Sequence, residues 1–128
     1  GAKIIVGRHG KLTIGDGLRF SSGSSIVCYK QIDIGNECRI SWDSQLMDTD
    51  FHKIFNGDSV QINPDKEIRL GNNCWIGNHS LVCKGAKLGN MVVLAANSMV
   101  NKEIPDNNVI LAGSPARIVK TSIYWTYE

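Results

Sequence analysis

A six-residue beat in the aliphatic residues, thirteen glycines against three prolines, and one polar interruption predict an all-β solenoid of parallel strands with a single excursion loop. The beat is cleanest from Leu70 on, where Leu70, Ile76, Val82, Leu88, Leu94 and Val100 lie in one register. The residue after each is small at Gly71, Gly77, Cys83, Gly89 and Ala95, with Asn101 as the exception. Compact residues also recur four places after the aliphatic, at Cys74, Ser80, Ala86, Val92 and Ser98. A period of six matches neither a helix of 3.6 residues per turn nor simple strand alternation. It fits short strands joined by tight corners, each hexad one side of a triangular coil stacked on the next. The aliphatic points inward, the compact residue sits where the coil narrows, and glycine or asparagine accommodates positive φ at the corner. A long amphipathic helix fails, because Gly71, Gly77, Gly85 and Gly89 would each cost it about 1 kcal/mol.

Earlier in the chain the same phase runs through Ile14, Phe20, Ile26 and Ile32, then continues two residues out of step at Ile34, Ile40 and Leu46. That slip predicts an enlarged corner between Tyr29 and Asp33. The excursion at about 48–67 breaks the period with polar residues, Gly57 and Pro64, and contains His52. An interruption of this length in a tight solenoid is generally functional. After Val100 the chain leaves through Ile104-Pro105 and returns at Val109 to Pro115. The tail from Ile118 to Glu128 alternates in part, and two placements stay open: a capping strand on the last coil, or packing elsewhere.

Length and composition fit one soluble domain over residues 1–128. No apolar run reaches the roughly 18 residues of a membrane span, and no signal-peptide pattern opens the chain. The start at Gly1-Ala2 rather than Met leaves room for a missing N-terminal segment. A net charge of +2 without a basic motif argues against nucleic acid. Cys28, Cys38, Cys74 and Cys83 lack paired spacing, so buried free thiols in a reducing cytoplasm are expected rather than zinc or disulfides.

Two stretches, IRLGNNCWIGNHSLVCKGAKLG and AANSMVNKEIPDNNVILAGSPARIVK, closely resemble the hexapeptide-repeat acetyltransferases, among them galactoside, maltose, xenobiotic and capsular-polysaccharide O-acetyltransferases. The resemblance runs from about Leu12 to Lys120, and the DTDFHK wording around His52 is most similar to the enzymes of capsule and O-antigen assembly. It implies a left-handed coil, which the period alone does not give because parallel crossovers are right-handed in about 98% of cases. It further implies a homotrimer with sites between subunits, and acetyl-CoA as cosubstrate with no metal. Zinc enzymes on such coils need three convergent histidines, and His9, His52 and His79 include no close pair.

By that resemblance His52 is the general base that takes the proton of an acceptor hydroxyl. A neutral imidazole suits this task near neutral pH. Its other nitrogen needs a partner, and Asp48, Asp50 and a backbone carbonyl are all candidates. His79 is a rival near a corner; His9 lacks a motif. The cofactor is expected against Asn78, whose N–H faces the thioester oxygen, then Ala96, Asn101 and Lys102, with Arg117 and Lys120 toward phosphates. The acceptor is expected near Ser21, Tyr29, Asp50 and Trp75, although interface packing explains Trp75 equally well. Galactoside-type relatives carry Asn and Asp where this chain has Ser21 and Tyr29, so either the acceptor differs or other groups hold it; the DTDFHK resemblance implies a sugar hydroxyl of a surface-glycan precursor. Lys84 and Lys87 read as solvated. Serine acetyltransferase, amino-sugar N-acetyltransferase and a non-catalytic scaffold are the competing readings of the same coil.

Overall fold

Five coils of chain stack into a prism with three faces, in a computed structural model that describes all residues from 1 to 128. The first coil is β1 (Lys3–Val6), β2 (Lys11–Ile14) and β3 (Arg19–Phe20); the second is β4 (Ser25–Cys28), β5 (Gln31–Ile34) and β6 (Arg39–Ile40). The third is β7 (Gln45–Met47), β8 (Ile68–Leu70) and β9 (Trp75–Ile76), with the excursion between β7 and β8. The fourth is β10 (Leu81–Cys83), β11 (Lys87–Leu88) and β12 (Val92–Leu94). The fifth is β13 (Met99–Val100), β14 (Glu103–Ile104) and β15 (Val109–Gly113), after which β16 (Ala116–Lys120) turns back. The first strand of every coil builds the first face, the second the second face, and the third the third face. All neighbours within a face are parallel except β15 and β16.

The aliphatic beat becomes the interior. Ile26, Leu46, Val82 and Val100 pair in register along the first face, and Ile40, Ile76 and Leu94 along the third; all are buried. Each such side chain contributes roughly 1.5–3 kcal/mol by leaving water. The compact residues four places on are buried too, and at two corners they carry hydrogen bonds. Ser44 Oγ donates to the Gly77 carbonyl (2.8 Å) and Ser80 Oγ to that of Ala95 (3.0 Å), each satisfying a backbone oxygen one coil further on. Cys38 and Cys74 thiols make the weaker version toward Gly71 and Gly89, both at 3.2 Å. All four cysteines are free thiols, and three are buried.

The glycines that follow the inward aliphatics have a role different from the one expected. Positive φ falls on residues further along the corner, such as Glu37, Asn73, Met91 and Asn108. Gly71 is needed for close approach instead, since a Cβ there would lie 2.4 Å from the Gly89 carbonyl oxygen. Asparagines at the corner between the second and third faces form a ladder. Asn72 Oδ1 accepts from Asn36 N–H (2.9 Å), Asn90 Oδ1 from Asn72 N–H and Asn107 Oδ1 from Asn90 N–H (both 2.8 Å).

The two-residue slip is also resolved. Tyr29 and Lys30 are the extra residues of the corner between β4 and β5, and the fully buried Asp48 carboxylate caps them. It accepts the N–H groups of Tyr29 (2.7 Å), Lys30 (2.9 Å) and Gln31 (2.8 Å).

The tail does both things left open. β16 pairs antiparallel with β15, and the following residues run back along the corner between the second and third faces. Ile123 N–H donates to the Asn108 carbonyl, Trp125 Nε1 to that of Asn73 (2.7 Å), and Tyr127 OH to Glu37 Oε2 (3.1 Å). Alternate tail residues thus grip successive coils from the fifth to the second, and Arg39 stacks 4.1 Å above the Tyr127 ring.

Gly71→Ala is expected to destabilise the chain by about 1–3 kcal/mol, the usual cost of overpacking. Asn72→Ala removes one accepting rung and costs about 1 kcal/mol. Urea denaturation followed by circular dichroism measures both; equal stability of Gly71→Ala and wild type would contradict the close-approach reading.

Candidate functional site

The excursion starts where β7 would otherwise turn directly into β8. Thr49 Oγ1 accepts from Phe51 N–H (3.1 Å), and Phe51 itself has φ 62°. His52 N–H then donates to the Asp50 carbonyl (2.7 Å), closing a tight turn that fixes the histidine backbone. Farther out the loop is a short hairpin, with an antiparallel bridge between Phe55 and Gln61 and a tip organised by Asn56.

Asn63 is the hub that binds the two arms. Its Oδ1 accepts from Ile54 N–H (2.6 Å), while Nδ2 donates to Asp50 Oδ2 (3.0 Å) and to the His52 carbonyl (2.8 Å). From the neighbouring coil, Lys84 Nζ lies 2.6 Å from Asp50 Oδ2 and 3.0 Å from the Asn63 carbonyl oxygen. Lys84, expected to be solvated, is therefore a clamp on the loop; Lys87 pairs with Glu67 at 2.9 Å. The Lys84 ammonium and the Asn63 amide hold the Asp50 carboxyl below its ordinary value. Sequence reading missed Asn63 and Lys84, since nothing in the period distinguishes them from other polar loop and corner residues.

No hydrogen bond joins the His52 side chain to either carboxylate proposed to orient it. Asp48 is committed to the enlarged corner and Asp50 to Lys84 and Asn63. Asp50 was also expected to touch the acceptor, yet its carboxylate faces these two partners. The His52 side chain is exposed and borders a cleft of about 360 Å³, whose walls include Tyr29, Lys30, Gln61 and Asp65. Tyr29 packs edge-on against Phe51 with centroids 5.0 Å apart. Through Lys30 and Asp65 this cleft continues into one of about 600 Å³, where Lys66, Lys87, Asn101 and Lys102 lie. His52, Tyr29, Asn101 and Lys102 thus share the corner between the first and second faces.

The remaining expected residues gather elsewhere. Ser21, Trp75 and Asn78 border a groove of about 820 Å³ on the third face, and Ala96 follows Asn78 one coil on, at the corner between the third and first faces. The N–H groups of Trp42, Asn78 and Ala96 form a column there that donates to no acceptor within the chain. His79 sits at the same corner with Nε2 3.7 Å from Asp43 Oδ2. On β16, Arg117 lies opposite Ala112 near that corner, whereas Lys120 lies opposite Ile110 at the far end of the strand. The expected residues therefore fall into two groups on opposite edges of the first face. Outward-facing positions of that face are apolar at Ile5, Val27, Met47 and Cys83, with Leu81 and Met99 beside them; Ile5 and Leu81 are exposed, Met47, Cys83 and Met99 half-buried and Val27 buried.

A parallel solenoid of triangular coils, interrupted once by a histidine-bearing loop, defines the left-handed β-helix class. No family model matches the sequence. The polysialic acid O-acetyltransferase of Escherichia coli O1:K1 / APEC is 33% identical over 98% of this chain, which spans 38% of that enzyme. A putative lipopolysaccharide biosynthesis O-acetyl transferase, WbbJ of Escherichia coli K12, is 29% identical over 94% of the chain and 65% of its own length. The solved polysialic acid O-acetyltransferase OatWY superposes with a TM-score of 0.95 at 27% identity, across 100% of this chain and 62% of that one. The chain belongs to the hexapeptide-repeat acetyltransferases, with polysialic acid and lipopolysaccharide O-acetyltransferases among its relatives. It spans less than two thirds of the length of each of these relatives.

The Asp50 clamp makes the loop sensitive to acid. With a folded-state pKa below its ordinary 3.8, Asp50 contributes stability above that value and loses it as pH falls through the lower one. The amide resonances of His52 and Ile54 are expected to shift together across that window, and Asp50→Asn is expected to abolish the step. A step of unchanged size in Asp50→Asn would assign the transition to another carboxylate.

Proposed function

We propose that this chain carries the acyl-transfer site of an acetyl-CoA-dependent O-acetyltransferase that modifies a hydroxyl of an acidic surface glycan or its precursor. The observation that supports it most is the His52 imidazole, exposed at a cleft while its backbone is pinned by Asp50 and Asn63. In this reading the imidazole takes the proton of the acceptor hydroxyl as its oxygen attacks the thioester carbonyl. The C–O bond forms, the oxyanion is met by a free corner N–H such as that of Asn78, the C–S bond breaks, and the imidazolium returns its proton to the departing thiolate. General-base help of this kind is typically worth about 10²–10⁴-fold.

The chemistry needs both half-sites, which supports an assembly of three copies. A ring built through the apolar first faces brings the His52 corner of one copy against the Asn78 and Ala96 corner of the next. The trough beside Asn101 carries Lys30, Lys66, Lys87 and Lys102 against Asp65, Glu67 and Glu103; Lys102 is proposed to meet the phosphates of the cosubstrate, and Arg117 and Lys120 add charge at the C-terminal edge. Ser21, Tyr29 and Trp75 are proposed to meet the acceptor, and Asp50 to position the loop. Relatives named for polysialic acid favour an acidic sugar. We place the reaction in the cytoplasm, where acetyl-CoA is available and four free cysteines stay reduced. No helix is long and apolar enough to cross a membrane.

His52→Ala is expected to lower turnover at least about 10²-fold while CoA affinity, read by calorimetry, is kept. Near-normal turnover would move the base to His79, which has the Asp43 carboxylate beside it. Met47→Arg, on the outer column of the first face, is expected to give monomers by light scattering and to remove activity with an unchanged circular dichroism spectrum. Fully active monomers would refute a shared site.

A further inference from the structure

The third-face groove, of about 820 Å³, has an outer wall that is not part of the coil. Trp125 and Tyr127 of the returning tail stand over β3, β6 and β9, facing Trp75 and, toward the first face, Trp42. Trp42 is 57% exposed, and so much bare aromatic surface in one groove calls for an occupant. The rings are not loose. Trp75 Nε1 donates to Ser41 Oγ (3.1 Å) and Trp125 Nε1 to the Asn73 carbonyl (2.7 Å), so both indoles are tethered at an edge. Trp75 and Trp125 also brace each other at 5.9 Å, and Trp125 and Tyr127 at 5.4 Å. Aromatic surface held in place lowers the ordering cost of binding.

The charges of the groove are unequally committed. Arg39 donates to the carbonyls of Gly17 and Cys38, lies 3.7 Å from Glu37 and stacks on Tyr127. Arg19, exposed on β3, has no ion pair, which leaves one cation free at the floor of an aromatic channel. Neighbouring strands lie about 4.8 Å apart, so three coils of floor offer a length of roughly 10–14 Å, enough for about two or three sugar rings.

We infer that this groove is a distal subsite for an acidic oligosaccharide, its sugar rings stacked on Trp42, Trp75 and Trp125 and a carboxylate paired with Arg19. The inference rests on the acceptor reading above for the class of ligand, and it adds a second contact zone that begins at Ser21 and Asn78 and runs away from the reacting hydroxyl. The tail is thereby part of the binding surface as well as a strap. A chain built this way holds several sugars of a polymer at once and prefers long acceptors to single sugars.

Calorimetric titration of the intact chain with sialic acid oligomers of one to six units, beside neutral malto-oligosaccharides of the same lengths, tests this without any transfer step. Affinity is expected to rise at least tenfold from one acidic sugar to three and then level off, with the neutral series weaker at every length. Trp125→Ala is expected to remove most of that gain and Trp125→Phe to keep it; Arg19→Gln, at an exposed side chain that supports no backbone, is expected to weaken the three-unit acid at least fivefold. Affinity independent of length, equal binding of the neutral series, or wild-type affinity in both Trp125→Ala and Arg19→Gln would overturn the assignment. Since binding is read without acetyl-CoA, a chain that binds oligomers and never acetylates them defeats the proposed function and spares the groove. Transfer to sugars with flat binding does the reverse.

Discussion

Register between coils is the constraint on which everything else depends. Each strand must return to the same face at the same height, because its hydrogen bonds go to the coil before and the coil after. Corners leave no slack. A single Cβ at Gly71 would collide with the next carbonyl, and the Asn36, Asn72, Asn90 and Asn107 side chains link successive backbones through one column. In the second and third coils, extra residues sit where side chains cap them. Asp48 does this for Tyr29 and Lys30, and Asn63 with Lys84 does it for the whole excursion.

That constraint keeps the His52 corner and the Asn78 and Ala96 corner of one chain apart. The excursion leaves the first-to-second corner, and the free amides of Asn78 and Ala96 line the third-to-first corner. A flat sheet face separates the two by construction, and no side chain spans it. The outer side of that face is apolar at Ile5, Val27, Met47 and Cys83, with Ile5 exposed, Met47 and Cys83 half-buried and Val27 buried.

The coil was legible because its period is a direct consequence of stacking. Inward aliphatics such as Val82 and Leu94 and compact residues such as Ser80 repeat for a geometric reason, and so does the slip at Tyr29 and Lys30. Two kinds of feature were hidden. The role of the glycines that follow the inward aliphatics was misread, since close approach and positive φ leave the same residue type in a sequence. Partnerships across coils were hidden for a different reason: Lys84 with Asp50, and Trp125 with Asn73, join residues 34 and 52 positions apart with no periodic signature. The loop histidine stood out only through its place in the interruption; of the three partners left open for it, Asp48 and Asp50 have scaffold hydrogen bonds that spacing does not reveal, and a backbone carbonyl stays open.

The division of the site between copies is best tested by mixing two defective proteins. One would carry His52→Ala, which removes the proposed base, and the other Ala96→Trp, which fills the exposed corner beside the free amides. After dissociation and reassembly together, hetero-assemblies contain some interfaces where an intact His52 corner meets an intact Ala96 corner. Acetyl transfer is then expected to return to roughly the fraction of such interfaces, while each protein reassembled alone stays inactive. Mixed assemblies, verified by mass spectrometry, that remain as inactive as their parents would contradict a site shared between neighbouring copies.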